Sequence, residues 1–223
     1  MMKAPQTDAR RLATRTLVAF ALILLLWTLA WALKVRLDSR FAWLTTSAGG
    51  FVFWTVAKML LWLTPAVWLV RLSGRTSRGV WNFSHWRGWL AWGMGTGGCI
   101  ALTGFIPHIL RGVPPLPAAW SFALVNVLVV SPIFEEFLMR GAVFGNLRQR
   151  YSLLWANVLS SALFVALHLP GWYFMGSLAE NLTRPVGGAA SIFCLGLLFA
   201  YATERSRSVL GGTLAHFLNN LAA

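Results

Sequence analysis

Six side chains in the second half of this 223-residue chain are ionisable or strongly polar, four of them of types that do acid–base chemistry, in stretches that are otherwise apolar. Glu135, Glu136 and Arg140 interrupt SPIFEEFLMRG, His168 closes FVALHLP, and His216 and Asn220 lie in AHFLNN. An ionisable group inside a membrane span costs at least about 2.5–3.5 kcal/mol, so each is a functional candidate by default. Spacing sorts the carboxylates. Glu136 and Arg140 are four apart, share a helix face and run in the favourable Glu-to-Arg order. Glu135 is turned about 100° away. One glutamate thus has a cation to pair with, and the other points elsewhere. Adjacent carboxylates in low dielectric repel unless cations compensate, and a glutamate with no structural partner is a candidate general base. His216 and Asn220, also four apart, share a face.

These residues need helices long enough to hold them inside a bilayer, and the composition supplies them. Hydrophobic residues make up 57% and charged residues 11%, against about 45–50% and about 25% in soluble proteins. The expectation is an all-α, polytopic helical membrane protein with about seven transmembrane helices around an intramembrane polar site. The expected spans are Thr16–Leu33, Trp43–Val70, Trp89–Leu110, Ala118–Leu147, Ser152–Leu169, Gly187–Ala202 and Ser208–Ala223. The last two are short enough to be tilted or re-entrant. At 1.5 Å per residue, Glu135 lies roughly 19 Å from the inner boundary, His168 roughly 25 Å, His216 roughly 14 Å and Asn220 roughly 20 Å. Helix tilt covers that spread, so one shared site is compatible with the sequence.

Charge fixes an orientation. The net charge is +13, and the basic residues fall mostly between the apolar stretches. With the N-terminus inside, twelve face inward: Lys3, Arg10, Arg11, Arg15, Arg71, Arg75, Arg78, Arg87, Arg148, Arg150, Arg205 and Arg207. Five face outward: Lys34, Arg36, Arg40, Arg111 and Arg184. That asymmetry places the N-terminus inside and the C-terminus outside and calls for no nucleic acid; the membrane expected is a bacterial inner membrane with the N-terminus cytoplasmic. The basic start leads into an apolar run too long for a signal peptide, which makes it a retained first span.

Proline breaks the chain at Arg111–Pro117, dividing it into residues 1–115, N-terminal helices with a basic tail and loops, and residues 116–223, a helical core that carries the chemistry. Lys58 is expected to snorkel, and Cys99 and Cys194 to be small buried hydrophobes. Trp172, Tyr173, Phe174 and Met175 form an interfacial aromatic belt.

Taken together, Glu135-Glu136-x-x-x-Arg140, Phe164-x-x-x-His168 and His216-x-x-x-Asn220 resemble the three motifs of the CPBP family. These are the CAAX prenyl protease and bacteriocin-processing intramembrane endopeptidases, also called the Abi family. The resemblance covers roughly Ala118–Asn220. It implies that Glu135 is the general base that activates a water, that His168 binds and orients that water, and that His216 and Asn220 stabilise the oxyanion. Glu136, Arg140 and Phe164 are the supporting residues. A metal-independent mechanism is favoured and no cofactor is expected; zinc, held by Glu135, His168 and His216, is the alternative. The substrate implied is a membrane-embedded or lipid-anchored peptide or protein, cut at a CAAX-type, C-terminal or leader site. A non-catalytic immunity or scaffold protein of the same fold would have lost one of the four catalytic residues, and none is lost. A proton-coupled transporter would show broken-helix repeats, and the sequence has none.

Overall fold

The computed structural model describes residues 6–112, 114, 116 and 119–223, and these contain no strand. The long helices are α1 (Gln6–Asp38), α2 (Ser47–Leu72), α3 (Trp86–Leu110), α4 (Phe122–Leu147), α5 (Leu153–Phe174), α6 (Ala189–Ser206) and α7 (Val209–Leu221), with short helical turns such as Ser77–Trp81 and Leu178–Thr183 between them. Five stretches are long and apolar enough to cross a membrane: Asp8–Asp38, Ser47–Leu72, Ser77–Leu110, Phe122–Leu147 and Leu153–Phe174. The short last two elements are α6, of 18 residues, and α7, of 13. Lys3, Pro115, Pro117 and the expected start of the fourth span at Ala118 lie outside the described residues. α4 begins at Phe122, capped by the Ser121 hydroxyl, which accepts the Leu124 N–H at 3.1 Å. α5 runs beyond the expected Leu169, through Pro170 to Phe174.

Two spans carry a π-helical turn just before a proline: Met59–Leu63 before Thr64-Pro65, and Asn126–Val130 before Ser131-Pro132. The cause is local. Proline has no N–H and its ring crowds the preceding turn, so the helix widens by one residue. Ser131 N–H then reaches back to Asn126 O. Val127 O is left without a helical donor, because the next N–H in line would be that of Pro132. The amide Nδ2 of Asn220 on α7 donates to that orphan at 2.9 Å.

Small residues set the approach of α7. A Cβ at Gly93 would lie 2.8 Å from Leu214 Cβ, one at Gly97 2.7 Å from Ala215 Cα, and one at Gly104 2.1 Å from Ala222 O. α3 therefore presents a groove along which α7 lies backbone to backbone, the usual mode of close helix contact in membranes. α7 is about 20 Å long, so this groove does for it what spanning the bilayer does for longer helices.

Polar ties close the end of the bundle where the basic loops gather. Asn146, fully buried, donates to Thr16 Oγ1 and Leu69 O, both at 3.1 Å, and accepts from Arg75 Nη2 at 2.6 Å. One side chain thus joins α1, α2 and α4. Burial lowers the Arg75 guanidinium to about 10, leaving it charged at neutral pH. Arg148 binds Glu204 at 3.0 Å, and Asn82 donates to Arg207 O at 3.0 Å. The connections α2–α3, α4–α5 and α6–α7 therefore meet at one end, as alternating spans require.

Gly97→Leu overpacks the α3 groove, and at about 1–3 kcal/mol the thermal midpoint in detergent falls by roughly 2–12 °C. Gly98→Leu, whose Cβ meets nothing within 4 Å, leaves it within about 2 °C of wild type. Equal behaviour of the two variants contradicts the groove.

Candidate active site

α4 brings both glutamates into the interior, and α7 separates their roles. Glu136 has no exposed surface. Its Oε2 lies 3.1 Å from Arg140 Nε, the pair that the four-residue spacing predicts. Its Oε1 lies 3.0 Å from His216 Nδ1. Gly212, one turn before His216, lets α7 come this close: a Cβ there would sit 2.9 Å from Glu136 Oε2 and 2.5 Å from Thr203 Oγ1. The Arg140 guanidinium also donates to Gly196 O at 3.0 Å and lies 4.4 Å from the centre of the Phe164 ring. The Nε contact with Glu136 is close but poorly aligned as a hydrogen bond, so charge rather than hydrogen-bond geometry holds that pair.

Glu135 is 8% exposed and accepts no hydrogen bond from the described residues. Oε2 faces His216 Nε2 at 3.9 Å, and Oε1 faces Lys58 Nζ at 3.9 Å. A gap of that size between two polar atoms is wide enough for a bridging water.

His168 Nδ1 lies 2.8 Å from Phe164 O, which can only accept, so Nδ1 carries the proton and Nε2 presents a lone pair. Phe164, 2% exposed, links the parts of the site. Its ring meets His168 edge-on at 4.9 Å and His216 at 6.0 Å. His216 in turn stacks on Phe199 at 4.7 Å. A cavity of 670 Å³ opens beside these residues, with Phe164, His168, His216 and Asn220 on its wall. Glu135 is not on that wall.

Two sequence-based expectations change. Lys58 does not snorkel: it is 6% exposed and its Nζ donates to Ser131 Oγ. The reason is depth, since Ser47 is eleven residues away and Leu72 fourteen, or roughly 16 Å and 21 Å along the helix. A lysine stem cannot cover either distance. The signal that finds it is the buried stripe Lys58, Trp62, Ala66 and Leu69, spaced four, four and three. Cys99 and Cys194 are exposed, not buried. They face the 670 Å³ cavity from α3 and α6, on helix faces that pack against no neighbour. Asn220 donates to Val127 O and accepts from Asn219 Nδ2 at 2.9 Å, leaving one N–H of its amide free.

Glu135, His168 and His216, the donors of the zinc alternative, are not gathered as a ligand set. Among the described residues, no three His, Cys, Asp or Glu side chains are gathered closely enough to hold an ion. The Lys58 ammonium already faces one oxygen of Glu135.

Glu136→Gln leaves Arg140 buried without its counter-charge at about 3–5 kcal/mol, and lowers the thermal midpoint by roughly 6–20 °C. Glu135→Gln, which breaks only two contacts of 3.9 Å, shifts it by less than half as much. The reverse order contradicts the division of roles.

Residues 117–222 match the family described as Rce1-like, type II CAAX prenyl endopeptidase. No curated protein and no solved structure matches the chain.

Proposed function

We propose that this chain, whose residues 117–222 match the Rce1-like type II CAAX prenyl endopeptidase family, hydrolyses a peptide bond of a membrane-associated substrate at a site inside the bilayer. One observation carries the mechanism: of two adjacent buried glutamates, Glu136 is bound by Arg140 and His216, while Glu135 keeps both oxygens free of hydrogen bonds. Glu135 is the general base. It takes a proton from a water in the gap between its Oε2 and His216 Nε2, and His168 Nε2 orients that water by accepting its second hydrogen. The hydroxide attacks the scissile carbonyl, the carbonyl oxygen becomes the oxyanion, and Glu135 returns the proton to the leaving amine.

The oxyanion role sets a condition on His216. Its Nδ1 faces a carboxylate oxygen of Glu136, so the proton of a neutral ring lies on Nδ1 and Nε2 is bare. Donation to an oxyanion needs hydrogen on both nitrogens. Glu136 is the group that makes such a cation tolerable, as a buried carboxylate does for a catalytic histidine elsewhere. The remaining N–H of Asn220 is the second donor, held in aim by the bond from the same amide to Val127 O. No step is assigned to a metal.

Seven crossings, the last two short and held by α3 and α5, are part of the proposal, as are a cytoplasmic N-terminus and a bacterial inner membrane. The asymmetry of basic residues supports that orientation. The cavity walled by α3, α5, α6 and α7 is the route by which a substrate segment reaches His216.

Glu135→Gln lowers kcat on a farnesylated CAAX peptide, in nanodiscs, by at least about 100-fold, with the thermal midpoint shifted less than half as far as in Glu136→Gln. Cleavage at the wild-type rate contradicts the assignment. A series of EDTA and 1,10-phenanthroline leaves the rate unchanged; loss restored by Zn²⁺ overturns the metal-independent mechanism. A C-terminal alkaline phosphatase fusion is active in cells and a C-terminal green fluorescent protein fusion is dark; the opposite pattern reverses the orientation.

A further inference from the structure

The two glutamates have separate cations, and the second comes from outside the segment that matches the family. Lys58 lies in α2, well before residue 117. Its burial is built. The stripe Lys58, Trp62, Ala66 and Leu69 turns it inward, and its Nζ lies 5.2 Å from the centre of the Trp62 ring, close enough for a cation–π contact. Trp62 is itself held 4.4 Å from Trp27, whose Nε1 donates to Leu167 O, next to His168. The ammonium donates to Ser131 Oγ, one turn before Glu135 on the same helix. Both partners of that bond adjoin a π-helical turn, Lys58 just before one and Ser131 just after the other. Such turns recur at functional sites, where they re-aim side chains. The result is an ammonium 3.9 Å from Glu135 Oε1, on the side of the carboxylate away from His216.

We propose that Lys58 is a positioning residue for hydrolysis: anchored by Ser131, it holds Oε1 of Glu135 so that Oε2 stays directed at His216 and the water between them. This rests on Glu135 being the base. In this arrangement the N-terminal half completes the site, and the segment 117–222 alone lacks the group that orients its glutamate. Lysine suits the task because its ammonium is a compact charge that can donate to the Ser131 hydroxyl while its field acts on the carboxylate 3.9 Å away. Without it, Glu135 keeps its place on α4 but loses its aim, and small misplacements of a catalytic group cost on the order of 100-fold in rate.

The test uses the full chain in nanodiscs with a farnesylated CAAX peptide. Lys58→Met is expected to lower kcat by about 100-fold with KM within about twofold, while Lys58→Arg recovers at least about a tenth of the wild-type rate. Labelling of Glu135 by dicyclohexylcarbodiimide, located by mass spectrometry, supplies a readout that needs no turnover. It rises in Lys58→Met and stays near wild type in Lys58→Arg. A folded Lys58→Met with kcat within about threefold of wild type, or equal labelling in all three proteins, overturns the proposal. Should Lys58→Met fail to fold, Ser131→Ala decides, since it removes the hydroxyl anchor and leaves the charge. A several-fold fall in kcat at constant KM supports the role, and an unchanged kcat overturns it. If the wild-type chain cleaves no peptide, the hydrolytic reading fails by itself, and the labelling still decides whether Lys58 governs Glu135.

Discussion

Two carboxylates next to each other in a helix buried from water are the constraint around which this molecule is arranged. Neither can stay charged in low dielectric without a nearby cation, and both cannot share one without repelling each other. The chain resolves this by dividing the pair. Arg140, on the same helix, takes Glu136, and Lys58, from α2, faces Glu135. His216 lies between them, touching Glu136 through Nδ1 and facing Glu135 through Nε2. Two carboxylates and two basic side chains thus surround one imidazole, and the asymmetry of the contacts distinguishes a closely held carboxylate from one free of hydrogen bonds.

The architecture follows from delivering these groups to one place. α4 supplies the glutamates, α5 His168, and α7 His216 and Asn220. α7 is too short to be held by the bilayer alone, so it lies in the glycine groove of α3 and ties its last turn to Val127 O. The Asn126–Val130 π-turn that frees this carbonyl exists because Pro132 follows. A proline in the sequence thereby becomes a contact between helices. The N-terminal helices are structural partners of the site: α3 seats α7, α2 provides Lys58, and the tryptophans of α1 and α2 pack beside His168.

Much of this is legible in the amino-acid sequence. The helical class and the Glu136–Arg140 pair follow from periodicity and four-residue spacing, because both are properties of one helix at a time. What periodicity misses are relations between helices distant in sequence. Lys58 and Glu135 are 77 positions apart, and only packing brings them together. The contact of His216 Nδ1 with Glu136, which changes Glu136 from a partner of Arg140 alone into the support of the histidine, is equally long-range. Cys99 and Cys194 mislead for a related reason: an apolar stretch in a membrane protein has a face toward lipid or a cavity as often as toward a core. For Lys58 the information was present in its depth and in its buried stripe, though a lone lysine in a span reads first as snorkelling.

The central claim is that the free glutamate lets this site cut an internal peptide bond with water. The most direct measurement is mass spectrometry of the products from a farnesylated CAAX peptide incubated with the purified full-length chain in nanodiscs, in water enriched in ¹⁸O. The account predicts an intact C-terminal tripeptide and a shortened prenylated peptide whose new carboxylate carries one ¹⁸O atom. Folded protein that releases no fragment, or releases single residues stepwise from the end, contradicts it.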